Sequence, residues 1–323
     1  METDKKRAST NGRFRHTPFG RTLVSNLFGR QQGTKMSAKR KLKGKAPKPE
    51  EKRGKALFFG KAGVGKTTAA IQWPMPYVID CERGTTNYDK IINAKGGVVM
   101  HTVSVQEIID EVRTLITVEH PYQTLVIDPI TAAYSELLDD CEKRVGTDFG
   151  RHYGAAAKHM KRLVNLFVNL DMNVVITAHA KNEYGDGLKV IGETFDAWRN
   201  LDYTLDLAFR ITALSATQRE AEVTKTRLES FPLHDRFVWS YDAFADRYGR
   251  GLLERNAVPI ELATDEHVIQ FNDMLNKLTE QEINRLGIKK ALRGVDNVAD
   301  LEDVRIVKGI DLIGDYLSQK GSM

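Results

Sequence analysis

Short apolar runs alternate with amphipathic segments between residues 55 and 177. The apolar runs are four to six residues long, which predicts strands at 55–59, 77–80, 98–103, 124–128 and 173–177. The segments between them carry apolar residues at helical spacing, which predicts helices at 66–73, 105–116, 129–142 and 155–170. Apolar strands that alternate with helices are typical of βαβ units. We therefore predict an α/β fold with a mainly parallel sheet flanked by helices.

The pattern changes after residue 203. Residues 203–212 and 220–229 are predicted as an antiparallel pair of strands that extends the sheet. Beyond about residue 258 the pattern is helical, with Thr264 and Thr279 as candidate N-caps and a closing helix over 301–317. This predicts a small helical unit after the sheet.

Charged residues are distributed unevenly along the chain, which the net charge of +5 does not show. Residues 1–53 hold 16 lysines and arginines against four acidic residues, whereas the remainder holds 32 against 39. The basic segment is either a disordered leader or a tail that attracts a polyanion, nucleic acid first. Met36 offers a second plausible start, which makes 1–35 an alternative leader that the fold does not need. We predict a basic N-terminal tail and linker at 1–53, a core at 54–254 and a helical accessory region at 255–323.

Composition excludes several classes of protein. With 41% hydrophobic and 28% charged residues in 323, the chain is typical of a soluble globular protein. No apolar run approaches the roughly 20 residues that span a bilayer, so we expect no membrane partner. The two cysteines, Cys81 and Cys141, do not have metal-ligand spacing, and the N-terminus lacks the apolar core of a secretory signal. A reducing compartment is therefore expected.

A glycine-rich segment between the first strand and the first helix carries the strongest motif. Residues 60–67, GKAGVGKT, match the P-loop pattern, in which glycines let backbone N–H groups point at phosphate oxygens. The lysine reaches the β- and γ-phosphates and the following threonine ligates Mg²⁺. A chance glycine-rich turn is the alternative, but the flanking strand and helix count against it. The predicted nucleotide-binding residues are Gly60, Lys61, Ala62, Gly63, Val64, Gly65, Lys66, Thr67 and Thr68.

Two further strands end in acidic residues. Asp128 follows an apolar run, as expected of a Walker B carboxylate that holds the metal with Thr67. Asp80 and Glu82 follow the strand after the P-loop helix, where a carboxylate can activate the water that attacks the γ-phosphate. We predict Glu82 as this base and Asp80 as its support. Helix capping is the alternative for each of these acids.

This order of motifs resembles the RecA-like recombinase ATPases, and more narrowly the short phage-encoded RecA-core proteins linked to single-strand annealing recombination. The resemblance covers roughly residues 54–250. It implies a RecA-like core, with Glu82 as catalytic base and Asp128 as the metal-binding aspartate. It also implies that His179, where RecA itself has a glutamine, senses the γ-phosphate; the alternative is a histidine that merely satisfies a strand end. The family often has serine after its aspartate, whereas this chain has Pro129.

The same resemblance implies two loops that hold single-stranded DNA, at 141–153 and 181–199. Cations beside aromatic residues suit this role, because phosphates pair with the cations and bases stack on the rings. The second loop also contains Glu183, Asp186, Glu193 and Asp196, which makes it the weaker candidate. The predicted DNA-binding residues are Lys143, Arg144, Phe149, Arg151, Tyr153, Lys181, Lys189 and Arg199. Ordinary long surface loops are the alternative.

The resemblance further implies a basic pair on a late strand that reaches the nucleotide of a neighbouring subunit. Lys225 and Arg227 lie at the matching place, although an exposed strand with alternating basic residues is the alternative. If they act across subunits, hydrolysis requires a homo-oligomer, either a filament or a ring.

The leading hypothesis is an ATP- and Mg²⁺-dependent recombinase or annealing protein that binds single-stranded DNA. Its expected partners are the DNA, further copies of the chain and a single-strand-binding protein, and the resemblance implies the cytoplasm of a bacterial host. A hexameric helicase or an AAA+ loader is one alternative, for which Arg285, Arg293 and Arg305 are available in the C-terminal helices. A nucleotide-gated DNA-binding module with negligible turnover is the other.

Overall fold

The structure is a computed structural model that describes residues 46, 52–185, 187, 189–288, 292 and 297–321. Most of the predicted basic tail, together with Asp186 and Arg293, lies outside the described residues.

A single twisted sheet forms the centre of the described part of the chain. Its nine strands are β1 Lys55–Gly60, β2 Pro76–Asp80, β3 Val98–His101, β4 Thr124–Asp128, β5 Asn173–Tyr184, β6 Val190–Asp196, β7 Leu207–Ala213, β8 Arg219–Thr226 and β9 Arg236–Val238. They lie in the order β3-β2-β4-β5-β1-β7-β8-β9, with β6 paired to β5. The six neighbouring strands β3, β2, β4, β5, β1 and β7 are parallel. Strands β6, β8 and β9 add antiparallel pairs. The predicted fold class is confirmed.

Helices cover both faces of the sheet. The helices of the described residues are α1 Lys66–Ala70, α2 Asp89–Ala94, α3 Val105–Thr117, α4 Ile130–Val145, α5 Arg151–Asn169, α6 Tyr241–Tyr248, α7 Arg250–Leu253, α8 Asp265–Leu275, α9 Glu280–Leu286 and α10 Asp303–Gly321, of which the last three follow the sheet. Helix α3 begins where Ser104 accepts a hydrogen bond from the Glu107 amide, and Thr264 and Thr279 cap α8 and α9 as predicted. Within the described residues, no helix is long and apolar enough to cross a membrane.

Alternation along the strands explains why both faces are covered. In β1, Leu57 and Phe59 pack with α3, α4 and α5, whereas Ala56 and Phe58 pack with α1 and α6. Successive side chains of a strand point to opposite faces, so an uninterrupted apolar run requires a core on each side. The carboxyl ends of the parallel strands are thereby held at one edge of a sheet with two buried faces.

Two predicted loops are more ordered than the sequence suggested. Helix α4 runs to Val145 and α5 begins at Arg151, so only Gly146–Gly150 separates them and the predicted loop at 141–153 is wrong in length. The predicted loop at 181–199 is for the most part an antiparallel hairpin, because β5 continues to Tyr184 and pairs with β6. Polar residues on both strands conceal this pairing in the sequence.

The C-terminal helices have a small core of their own. Phe271 of α8, Ile306 and Ile313 of α10, and Leu301 are buried together. A buried carboxylate joins this region to the remainder, because Asp300 accepts hydrogen bonds from Arg113 of α3 and Arg162 of α5. The helical unit predicted after the sheet is present and packs against the helices of one face.

Candidate functional site

The predicted nucleotide-site residues lie at the carboxyl edge of four neighbouring parallel strands. The P-loop follows β1, Asp80 ends β2 with Glu82 two positions later, Asp128 ends β4, and His179 lies in β5 opposite Gly60. Because parallel strands all end at the same edge, residues separated by more than 100 positions in the sequence are neighbours here.

The P-loop curls tightly between β1 and α1. Gly63 and Gly65 have φ angles of 75° and 93°, which favour glycine, and a β-carbon added at Gly63 would meet no atom within 4 Å. The Lys66 ammonium lies inside the curl and donates to the carbonyls of Gly60 at 3.0 Å and Lys61 at 2.9 Å. Burial lowers the pKa of Lys66, and the charges of Asp128 and Glu82 oppose that shift. The loop therefore fits a phosphate chain, with open backbone at its surface and a buried cation within it.

Asp128 is a second buried acid at this edge, and both its oxygens accept hydrogen bonds from hydroxyl groups. Its Oδ2 accepts from the Thr67 hydroxyl at 2.7 Å, and its Oδ1 accepts from the hydroxyl of Thr177 on β5. Burial raises the pKa of Asp128, and the two hydroxyl hydrogen bonds counteract this rise. A threonine hydroxyl beside a carboxylate is a set of hard oxygen donors, which fits Mg²⁺.

Asp80 fixes the turn that follows β2. Its Oδ1 accepts from the amides of Glu82 and Gly84, and its Oδ2 accepts from the amide and hydroxyl of Thr85. Burial raises the pKa of Asp80, but these hydrogen bonds outweigh it, so the pKa lies below its ordinary value. Asp80 is a buried carboxylate whose oxygens are occupied, and it determines where Glu82 lies.

Glu82 remains available at the same edge. Its side chain is 44% exposed, and its Oε1 lies 3.3 Å from Nε2 of His179. The amide of His179 donates to Oγ1 of Thr131, and that hydroxyl donates to the carbonyl of Asp196 at 2.6 Å. The exposed carboxylate thus contacts β5 at the position where the β5–β6 hairpin leaves the edge of the parallel sheet.

The predicted basic pair on β8 lies elsewhere. Because β8 runs antiparallel to β7, its first residue is at the P-loop edge and its last residues are at the opposite edge. There Lys225 donates to the carbonyls of Asp202 and Leu205, and Arg227 contacts Asp206 and the carbonyl of Tyr203. The structure does not bring this pair to the P-loop of its own chain. A role toward a neighbouring subunit stays a prediction.

The eight predicted DNA-binding residues are all exposed. Phe149 is fully exposed at the tip of the α4–α5 turn, with a φ of 52°, and Tyr153 is exposed one turn into α5. Three of the cations have acidic neighbours: Lys143 pairs with Asp140, Arg151 with Asp148 and Lys181 with Asp196. Arg144 donates to the sulfur of Cys141, while Lys189 and Arg199 flank the β6 strand.

Sequence reasoning missed three residues at this edge. Thr177 precedes His179 by two positions in the same strand. Residues two positions apart point to the same face of a sheet, so the sequence could have indicated that Thr177 shares a face with His179. Thr131, the second residue of α4, gave no signal. Arg219 at the start of β8 contacts the P-loop at Gly65, where an added β-carbon would lie 2.1 Å from its Nε. Only the strand order could reveal this contact.

Comparison with known proteins gives one result. Residues 52–226, more than half of the chain, match a protein family described as an AAA domain. No curated protein matches the chain. The matched range contains the P-loop and the residues Asp80, Glu82, Asp128 and His179.

Proposed function

Because this chain belongs to the AAA domain family, and so carries a nucleotide-binding ATPase domain, we propose that it is an ATP-dependent recombinase or annealing protein that binds single-stranded DNA. In this proposal it hydrolyses ATP at a P-loop site shared between subunits of a homo-oligomer. The proposal takes its narrower part from the resemblance to the short phage-encoded RecA-core proteins. The geometry at the sheet edge supplies the physical argument.

In this proposal the residues at the carboxyl edge of the parallel strands have separate roles in ATP hydrolysis. The P-loop backbone and Lys66 bind the phosphates, while Thr67 and Asp128 would hold Mg²⁺, which neutralises charge on the phosphate oxygens. Glu82 accepts a proton from the attacking water, whose oxygen bonds to the γ-phosphorus as ADP leaves. Its exposure suits this role, whereas Asp80 and Asp128 use their oxygens within the protein.

The contact between Glu82 and His179 is the observation that carries the proposed coupling. A γ-phosphate beside Glu82 would change the hydrogen bonding of His179, and His179 lies on the strand that continues into the β5–β6 hairpin. Thr131 contacts both His179 and Asp196, so a shift at His179 acts on both strands of that hairpin. Nucleotide state and hairpin position are thereby linked through direct contacts.

The proposed DNA surface combines the α4–α5 turn with the hairpin. Helix α4, which leads into this turn, contacts the hairpin directly, because the hydroxyl of Thr131 donates to the carbonyl of Asp196 at 2.6 Å. Phe149, Tyr153 and Tyr184 expose aromatic rings on these segments. Exposed rings beside cations suit single strands, whose bases are free to stack.

The direct test measures ATP hydrolysis with and without single-stranded DNA. The proposal expects stimulation by DNA that weakens as salt rises, because phosphate contacts release counterions. Equal rates across protein, DNA and salt titrations would contradict the coupling while leaving the ATPase domain in place.

Replacing Phe149 by alanine is expected to weaken binding of single-stranded DNA by about 5- to 150-fold, because one stacked base contributes about 1–3 kcal/mol. Fluorescence anisotropy with a labelled oligonucleotide measures the change. Tyr203→Ala is the matched control, since Tyr203 is an exposed aromatic residue at the opposite edge of the sheet. Equal effects of the two substitutions would rule out a specific role of the turn.

Replacing Thr177 by valine is expected to raise the Mg²⁺ concentration for half-maximal ATP hydrolysis by about tenfold, since Asp128 loses a hydroxyl donor that orients it. Thr124→Val is the control, because Thr124 is a buried threonine at the other end of the neighbouring strand β4. A similar Mg²⁺ requirement in both variants would show that Thr177 acts only in packing.

An AAA-type motor or loader is the second candidate, and the description of the matched family favours it. Of the arginines available to a helical lid, Arg305 contacts Glu302 at 2.8 Å, and Arg293 lies outside the described residues. Electron microscopy of the protein with single-stranded DNA and a slowly hydrolysed ATP analogue separates the two. Open helices support the recombinase, and closed six-fold rings support the motor.

A further inference from the structure

The hairpin formed by β7 and β8 approaches the P-loop at two glycines. A β-carbon at Gly60 would lie 2.5 Å from the carbonyl oxygen of Ile211, and one at Gly65 would lie 2.1 Å from Nε of Arg219. At Gly60 the short contact is with backbone, so the close approach itself requires glycine, whereas at Gly65 the φ of 93° favours glycine and the short contact shows how near the Arg219 side chain lies. The Arg219 side chain lies directly against the P-loop backbone.

Arg219 has hydrogen-bonding capacity that the described part of the chain does not use. Its Nη1 donates to the carbonyl of Ala216 at 3.2 Å, but its Nε is buried and has no partner among the described residues. A buried guanidinium N–H without an acceptor is costly, and its absence of a protein partner points to a ligand acceptor.

The charges around Arg219 favour an anionic ligand. Within the ranges that the structure describes, Arg219 makes no ion pair. Acids on β6 and on β8 itself contact other cations: Glu193 pairs with Lys61 at 3.1 Å, and Glu222 pairs with Arg210 and Arg236. Arg219 is therefore an uncompensated positive charge beside a loop that fits phosphates.

The strand order indicates which phosphate it meets. Asp128 and Glu82 mark the γ-phosphate end of the site, and both lie on the side of β1 that carries β5, β4 and β2. Arg219 reaches the P-loop from the other side of β1, across β7. A phosphate chain that runs along the P-loop toward Asp128 has its α-phosphate at the end where Arg219 lies.

We infer that Arg219 binds the α-phosphate of the nucleotide from within the same chain, donating from its guanidinium group to a non-bridging oxygen. This rests on the proposed nucleotide site and adds to it a residue outside the P-loop pattern. Bidentate geometry and permanent charge make arginine suited to a phosphate contact of this kind. The nucleotide is thus held from both sides of β1.

The test is a thermodynamic cycle between the arginine and the α-phosphate oxygen. Affinities of the full chain for ADP, for each diastereomer of ADPαS and for ADPβS are measured by calorimetry, in wild type and in Arg219→Gln. The substitution is expected to weaken ADP binding by about tenfold or more, as for loss of a charged hydrogen bond. Wild type is expected to bind one ADPαS diastereomer several-fold more weakly than ADP, and this difference should disappear in the variant. The ratio of the affinity for ADPβS to the affinity for ADP should be the same in wild type and in the variant.

If Arg219 acts only in the structure of the loop, the substitution should weaken binding of all the ligands by the same factor. The difference in affinity between ADP and the ADPαS diastereomer would then remain in the variant, which would overturn the inference. Arg219→Lys should bind ADP more tightly than Arg219→Gln does, because it keeps the positive charge. If Arg219→Gln does not fold, Arg219→Lys takes its place in the cycle. Arg236→Gln, at an arginine of β9, is the matched control and should bind ADP as wild type does. Lys66→Ala separates the two levels: if it retains full affinity for ADP, the nucleotide site itself is wrong. If Lys66→Ala loses affinity for ADP and the Arg219 variants retain full affinity, the nucleotide site is supported and the proposed contact between Arg219 and the α-phosphate is wrong.

Discussion

Replacing Glu82 by glutamine is expected to lower the rate of ATP hydrolysis by a factor of about 10²–10⁴, while ATP still binds. The amide keeps the size of the side chain but cannot take a proton from water. Glu82 is exposed at the sheet edge, where its carboxylate lies 3.3 Å from the ring of His179, so its replacement should leave the fold intact. Steady-state phosphate release measures turnover, and calorimetry with a non-hydrolysable analogue measures binding.

Glu119→Gln is the matched control, because Glu119 is an exposed glutamate near the end of α3, away from the P-loop edge. It should hydrolyse ATP at the wild-type rate. Unchanged turnover in the Glu82 variant would require another base. If the variant binds ATP, does not hydrolyse it and still anneals DNA at the wild-type rate, hydrolysis is dispensable for annealing and the nucleotide-gated module is favoured.

The second large effect is expected for stability, on replacing Asp300 by asparagine. Asp300 is 3% exposed, and its carboxylate accepts from Arg113 and, at 2.7 and 3.1 Å, from Arg162. The Asp300 hydrogen bond is the largest cause of the raised pKa of Arg162. Removing the carboxylate leaves two partly buried guanidinium groups without a counter-charge, which typically costs about 3–5 kcal/mol of unfolding free energy.

Urea unfolding followed by circular dichroism measures this change. Asp273→Asn is the control, because Asp273 is exposed on α8 within the same helical unit. A change in unfolding free energy below about 0.5 kcal/mol, the range of ordinary surface substitutions, would contradict the contact of the C-terminal region with α3 and α5. Loss of ATP binding without loss of stability would also contradict this purely structural role.

Several features of the site follow from short stretches of sequence. The P-loop is recognisable because its glycines, lysine and threonine act within one turn of backbone, so their spacing in sequence is their spacing in space. Asp128 and Glu82 could be predicted because an apolar run that ends in an acid fixes both the strand and the edge where the acid lies. These predictions needed no knowledge of which strands are neighbours.

Other features could not be predicted in this way. The segment after His179 resembles a long polar loop, since its residues alternate too weakly to reveal the β5–β6 pairing, and strand pairing depends on the partner. Lys225 and Arg227 were assigned by analogy, but the direction of β8 decides which edge of the sheet they occupy. Asp300 gives no local signal, because its partners Arg113 and Arg162 belong to distant helices.

The sequence by itself determined the elements, the strand ends and the phosphate-binding loop, since each depends on local periodicity and on residues a few positions apart. Only the tertiary structure decided which side chains meet across strands: Thr177 with Asp128, Glu82 with His179, and Arg219 with Gly65. The physical reason is that strand order and register arise from packing over the whole chain. A local pattern fixes which side of a strand a residue faces, but not what it faces.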